Sequence, residues 1–565
     1  MESHTGPGRG LRLACLQLKA RGVEEADIAL KEALEMIDRA AEMKPDLMLL
    51  PECTYPAYML KGWGRGPDDL ESAGKARRAF AGKAAEHRCH VAVGLVEIDP
   101  TSRQDSPLVY NSAYLFSPDG ALIGKTRKHF LWHFDSRWFM PGDELPVFDT
   151  PWGRIGMLVC ADARLPEVAR VLALKGARLI LDLTNWTSTG RNPATLTNPQ
   201  VDYMLRTRAL ENRVWIAAAD KCGVEQDSVV YCGSSCVVAP DGEIVSRASS
   251  DSTEILVADI DFDRYDRNGG DGRRCFSGHE PERRPEEYGV LSLEPEALGL
   301  PELLNEAVVP RKTTVSGAVV QVGVRGTVLE SLARRLELIS QLDVSLAVFP
   351  EPSEPEGLFE PENFKDAVRL ASEATQRDED LVVLLTGYEE EDGRLHKCCV
   401  VVSDGSIVGR YRKAHLERHE RGIVARGDSG LTVFETRAGR IGVMLGCEGL
   451  IPEVARVLTL KGADVIAWPG CLDGGFHWYV ARTRAAENRV YVLFANAPDV
   501  GSGESLMVDP AGTVIGEAFS KREQVVSALC NLSMARSKAV VPGTDVVFGR
   551  RPWAYRFLTE QHAES

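Results

Sequence analysis

Gly153-Arg154-Ile155-Gly156-Met157-Leu158-Val159-Cys160-Ala161-Asp162, followed closely by Pro166-Glu167-Val168-Ala169-Arg170-Val171-Leu172, is the stretch whose reading decides the fold. Ile155–Cys160 is an apolar run of strand length. Leu165–Lys175 reads as a helix, because Pro166 suits its first turn and Gly176 suits its end. A strand passing directly into a helix implies a sheet covered by helices. The stretch also recurs. Gly439-Arg440-Ile441-Gly442 and Pro452-Glu453-Val454-Ala455-Arg456-Val457-Leu458 repeat its two ends.

Working outward, the repetition extends over the whole chain of 565 residues. Arg206-Thr207-Arg208-Ala209 with Glu211-Asn212-Arg213-Val214 recurs as Arg482-Thr483-Arg484-Ala485 with Glu487-Asn488-Arg489-Val490. Arg283-Arg284-Pro285 with Tyr288 recurs as Arg550-Arg551-Pro552 with Tyr555. The order is the same in both halves, so the chain is a duplication. The offset between partners shrinks from Glu52/Glu351 to Arg283/Arg550, so the second copy has lost loop residues. We expect a first domain over 1–290, a linker over 291–312 that mixes Pro, Gly and Glu, and a second domain over 313–565 that includes a C-terminal tail.

Within the first copy, Asp46–Pro51, Val91–Val96, Ala113–Phe116 and Leu179–Leu183 read as further strands, and Glu24–Met43 as a helix. Asp119-Gly120, Asp241-Gly242 and Asp404-Gly405 read as hairpin turns. The Glu-rich stretch Glu351–Glu362 reads as a solvated loop.

A net charge of −16 disfavours nucleic acid as a partner. Apolar runs such as Leu47–Leu50 and Val382–Leu385 are far short of a bilayer span. Met1-Glu2-Ser3-His4 does not open a secretory signal, and thirteen scattered cysteines do not form a secreted disulfide scaffold. A cytoplasmic protein without a membrane partner is the expectation. Cys222, Cys232 and Cys236 lack the paired spacing of a zinc site, so no metal is expected.

Three residues stand where strands end, the usual place for reactive groups in open α/β sheets. Glu52 follows Leu47-Met48-Leu49-Leu50-Pro51, Lys128 stands in Gly124-Lys125-Thr126-Arg127-Lys128-His129, and Cys160 closes its strand. Taken singly, each has an ordinary explanation: a salt-bridge partner, a solvated lysine, a buried thiol. Taken together and in this order, Leu50-Pro51-Glu52, Arg127-Lys128-His129 and Gly153–Glu167 resemble the nitrilase superfamily of carbon–nitrogen hydrolases. The resemblance runs from about Leu11 to Tyr288. It implies an α/β fold with two four-layer αββα sandwich domains in one chain, packed as an internal pseudo-dimer, and leaves further self-association open.

The resemblance implies a catalytic triad of Glu52, Lys128 and Cys160. Glu52 takes the thiol proton and returns it to the leaving amine. Lys128 lowers the thiol pKa and stabilises the oxyanion, and the backbone N–H of Ala161 completes the oxyanion hole. A thioester forms on Cys160 and water then releases the acid. No metal or organic cofactor is needed. Asp135 stands where the family usually carries a second glutamate, one methylene longer. Asn185 and Trp186 stand where the family lines its substrate pocket, although core packing is an equal reading for Trp186.

The second copy keeps Glu351 and Lys413. The interval from Gly156 to Pro166 equals that from Gly442 to Pro452, which aligns Gly446 with Cys160 and leaves Cys447 one place late, on the opposite face of a strand. The second half is therefore expected to be non-hydrolytic. The leading expectation for the first is an amidase or N-carbamoyl amide hydrolase acting on a small soluble substrate. Nitrile hydrolysis is an alternative. So is a glutaminase supplying ammonia to a separate synthetase, although the absence of a Gly-rich phosphate loop and of an ATP-binding domain counts against it. A non-catalytic scaffold is a third class, disfavoured by the intact Glu52, Lys128 and Cys160.

Overall fold

A computed structural model describes residues 10–64, 66–103, 107–188, 195–265, 282–305, 312–323, 329–352 and 360–560. Met1–His4, part of the expected linker and most of Glu351–Glu362 lie outside the described residues. The chain divides into two compact units, one of residues 1–277 with Val541–Thr544, the other of Gly278–Val540 with 545–565. Arg283–Tyr288, which the repeat assigns to the first copy, thus belong to the second unit.

In the first unit, β1 (Leu11–Lys19), β2 (Leu47–Leu49), β3 (His90–Ile98), β4 (Val109–Phe116) and β5 (Leu122–Arg127) lie side by side in one sheet. β1, β2 and β3 are parallel, and β3, β4 and β5 antiparallel. A second sheet contains β6 (Val147–Thr150), β7 (Gly153–Val159), β8 (Ala177–Leu183) and β9 (Trp215–Ala219), with β7, β8 and β9 parallel. Helices α1 (Ala26–Ala41) and α2 (Pro67–His87) cover the first sheet, and α3 (Pro166–Leu174) and α4 (Leu205–Asn212) cover the second. The two sheets meet through β4 with β7 and β1 with β9, giving the four-layer sandwich.

The apolar runs follow from this layering. Ala33, Met36, Ile37 and Ala40 form one stripe of α1 and pack on Ala14, Leu16, Met48 and Val91. The alternate strand residues Leu13, Cys15, Leu47 and Leu49 are equally buried, so strands with two covered faces carry no polar alternation. The hairpin turns lie as read: Gly120, Gly242 and Gly405 have φ of 81°, 81° and 72°. The expected linker carries short helical turns, Pro295–Leu298 and Leu300–Leu304.

The second unit repeats the plan with one sheet ordered Ser406–Arg412, Arg394–Ser403, Val382–Glu391, Leu346–Val348, Thr314–Gln321, Gln524–Asn531, and another built around Gly439–Val443, Val465–Gly470 and Tyr491–Asn496. Arg284 N–H donates to the Tyr288 hydroxyl at 3.2 Å, and Arg551 N–H to that of Tyr555 at 3.4 Å, so the terminal motif has one structure in both occurrences. Among the described residues no helix is long and apolar enough to cross a membrane.

Glu52 is placed by a close backbone approach. A Cβ on Gly94 of β3 would lie 2.4 Å from Pro51 O and 2.6 Å from Glu52 Cα. G94A is expected to cost about 1–3 kcal/mol of stability and to displace Glu52. Urea unfolding checks it, and an unchanged midpoint would contradict the close approach.

Candidate active site

Cys160 is the first residue after β7 and opens a short 3-10 turn, Cys160–Arg164. Its φ of 49° lies in the left-handed region, which costs a side-chain-bearing residue roughly 1–2 kcal/mol. Polar anchors hold that bend. Cys160 N–H donates to Asp182 Oδ1 at 3.0 Å, and Gln200 Nε2 donates to Cys160 O at 2.7 Å. Asp162 Oδ2 accepts Val159 N–H at 3.0 Å, while its Oδ1 accepts the N–H groups of His129 and Phe130 at 2.9 and 2.7 Å. One carboxyl therefore ties the cysteine bend to the loop that follows Lys128. Burial pushes Asp162 up to about 7 against those three N–H groups.

Lys128 is fully buried and lies between two buried acids, with Nζ 2.8 Å from Glu52 Oε1 and 2.7 Å from Asp135 Oδ2. Burial opposes its charge, but Asp135, Glu52 and Cys160 outweigh burial and raise the ammonium well above the ordinary lysine value. Asp135 also accepts from the Tyr58 hydroxyl at 2.6 Å and from Trp132 N–H at 2.9 Å, so the shorter acid still reaches the lysine. Glu52 Oε1 accepts a further bond from Asn111 Nδ2 at 2.6 Å. Burial pushes the Glu52 carboxyl up, with Lys128 pulling it back.

The sulfur differs from expectation. Lys128 does pull the Cys160 thiol downward, but burial and Glu52 outweigh it, and the net shift is well upward. The Glu52 carboxyl and the Lys128 ammonium are thus the charged groups that act on this sulfur most strongly. Ala161 is buried in the same turn.

Buried polar atoms without a partner gather here among the described residues: Glu52 Oε2, Asn111 Oδ1, Asp182 Oδ2, both amide atoms of Asn185, and Trp186 Nε1. Each such atom costs about 1–3 kcal/mol when left unpaired. Trp186 is fully buried, and its backbone N–H donates to Asp220 Oδ1 at 2.8 Å. Tyr58, Asn111, Asp182 and Asp220 are absent from the sequence reading. Asp182 had a visible signal, an acid inside the apolar run Leu179–Leu183.

The second unit holds the matching residues with different chemistry. Gly446 has the same φ of 49°, and a Cβ there would lie 2.5 Å from Glu351 Oε2 and 3.1 Å from Lys413 Nζ. Gly446, not Cys447, thus faces the acid and the amine, while Cys447 Sγ points to His415 O at 3.6 Å. Lys397 replaces Asn111 and, with Lys413, bonds both Glu351 and Glu420 at 2.6–3.0 Å. Trp468 replaces Asp182, and its Nε1 donates to Gly446 O at 2.8 Å.

Asp38, Glu86 and His87 are the described group whose ligand atoms lie close enough for a metal ion, but Lys83 already bonds both acids at 2.6 and 2.9 Å.

The sequence model described as Carbon-nitrogen hydrolase matches residues 12–267 and 318–539. The chain belongs to that family and carries its domain twice. It is 30% identical over 261 residues to the omega-amidase NIT2 of Bos taurus, a match covering 44% of this chain and 88% of the relative. It is 32% identical over 255 residues to a nitrilase of Pyrococcus abyssi, covering 45% and 90%. A solved amidase from Nesterenkonia sp. aligns with a TM-score of 0.40 at 24% identity, covering 48% of this chain and 97% of that one.

Two variants test the geometry. K128M leaves two buried acids without their counter-ion and is expected to cost about 3–5 kcal/mol. G446C forces a Cβ against Glu351 and is expected to cost about 1–3 kcal/mol. Denaturant unfolding measures both, and a wild-type midpoint for either would contradict the contacts described.

Proposed function

We propose that the first copy is a cysteine-dependent hydrolase of a non-peptide carbon–nitrogen bond in a small amide or carbamoyl substrate. The observation carrying this reading is the Glu52–Lys128–Asp135 ion set, buried beside a cysteine held at a strained bend. Cys160 sulfur attacks the carbonyl carbon, and its proton passes to Glu52. Negative charge collects on the carbonyl oxygen, where the Lys128 ammonium and the Ala161 N–H are the proposed donors. Collapse of the tetrahedral intermediate breaks the carbon–nitrogen bond as Glu52 returns the proton to nitrogen. The amine leaves a thioester on Cys160. Water then attacks, giving its proton to Glu52, and the acid departs as the thiol is restored.

Burial and Glu52 push the Cys160 thiol up, which fits passage of its proton to Glu52 as the sulfur attacks. Asp135 is proposed to orient Lys128, and Asn185 and Trp186 to meet the substrate's polar atoms. The second copy lacks sulfur at the bend and is proposed not to hydrolyse. Nitrile hydrolysis remains the second reading, supported by the likeness to the Pyrococcus abyssi nitrilase.

A panel of small amides, N-carbamoyl compounds and nitriles, scored by ammonia release, tests the proposal. Amide or carbamoyl turnover is expected, with C160A at least about 1,000-fold slower and C447A unchanged. Nitrile turnover alone would favour the second reading, and full activity in C160A would remove the proposal.

A further inference from the structure

Resting on that reading, we infer that Asp182 is a positioning residue for the nucleophile: its carboxyl holds the Cys160 backbone N–H, fixing the bend that aims the sulfur at Glu52 and Lys128. Asp182 is fully buried at the end of β8, one strand away from Cys160, and the 3.0 Å bond to Cys160 N–H joins the two strand ends. Asn185 and Thr184, which follow on the same chain, are buried in the same region. The apolar strand would be better served by a hydrophobic residue at this point, since an unpaired buried carboxyl oxygen is costly. Asp182 Oδ2 has no partner, so the acid is not explained by packing.

The second copy supplies the comparison. Its bend is occupied by glycine, which adopts φ of 49° without the side-chain penalty, and there the equivalent residue is Trp468. Trp468 bonds the carbonyl of Gly446, not its N–H, and its ring lies where a Cβ on Gly449 would come within 2.0 Å. The copy with a cysteine at the bend has the acid, and the copy with a glycine has an indole. The bond also has a chemical consequence. It removes Cys160 N–H from the donors open to the oxyanion, leaving the Ala161 N–H and Lys128 for that task. Burial, opposed by the Cys160 N–H, pushes the Asp182 carboxyl well above the ordinary carboxylate range. Asparagine offers the Cys160 N–H the same acceptor oxygen.

The test uses the full chain and 2-chloroacetamide, a small electrophile that carries an amide. The sulfur–carbon bond forms as chloride leaves with the carbon–chlorine pair, and the thiol proton passes to Glu52. Adducts on the Cys160 peptide are followed by mass spectrometry, and the rate is split into a maximal inactivation rate and a half-saturating concentration. In D182L the maximal rate is expected to fall about 100-fold, the scale of a misplaced reacting group, with half-saturation changed less than about threefold. D182N keeps an acceptor oxygen and is expected to stay within about fivefold of wild type. D182L reacting at the wild-type maximal rate would overturn the inference. D182N with a maximal rate about 100-fold below wild type would also overturn it, even if D182L fails to fold, because the acceptor is then not the operative feature. A wild-type protein with no adduct on Cys160 would instead defeat the underlying catalytic reading.

Discussion

A lysine ammonium held between two buried carboxyl groups is the constraint on which the site depends. In the first unit, Lys128 bridges Glu52 and Asp135, and all three are fully buried. Removing a charge from water is expensive unless a partner stands ready, so none of the three is stable there without the others. Each comes from a different loop, one after β2, one after β5 and one from the turn beyond it. The ion set therefore fixes how those loops meet, and the bend at Cys160 is tied to the same place through Asp162. A buried set of charges that merely stabilises a core is rarely preferred over apolar packing. Here it stands beside a thiol, and unpaired polar atoms surround it.

The duplication makes the molecule its own comparison. Both units keep the acid, the lysine, the left-handed bend and the carboxylate that ties the bend to the lysine loop, Asp162 in one and Glu448 in the other. They differ where chemistry would occur. Gly446 removes the sulfur, Lys397 adds a second ammonium bonded to both acids, and Trp468 puts an indole in the place of Asp182. The second unit retains the ionic framework and fills it.

Much of this was legible in the sequence because it rests on order and local spacing. The equal interval from Gly156 to Pro166 and from Gly442 to Pro452 places Gly446 at the bend, and the geometry beside Glu351 agrees. Glu52, Lys128 and Cys160 stand at strand ends, and the structure gathers them. The direction of the thiol shift was not legible. It depends on how completely the site is buried and on the nearness of Glu52, and neither is a property of spacing. Asn111 and Tyr58 were missed for a related reason: Asn111 gains its partner Glu52 only where β4 meets the loop after β2, and Tyr58 gains Asp135 only where that loop meets the turn beyond β5. Arg283–Tyr288 pack within the second unit, where the Tyr288 hydroxyl meets His415 Nε2 at 2.9 Å, a long-range contact that periodicity does not encode.

The central claim is that one sulfur per chain carries the chemistry. Acid quenching during steady-state turnover of a good amide substrate, followed by intact-mass and peptide analysis, measures it directly. The account predicts at most one acyl group per chain, attached to Cys160. Two acyl groups per chain, or an acyl group on Cys447 or Cys471 of the second copy, would contradict it.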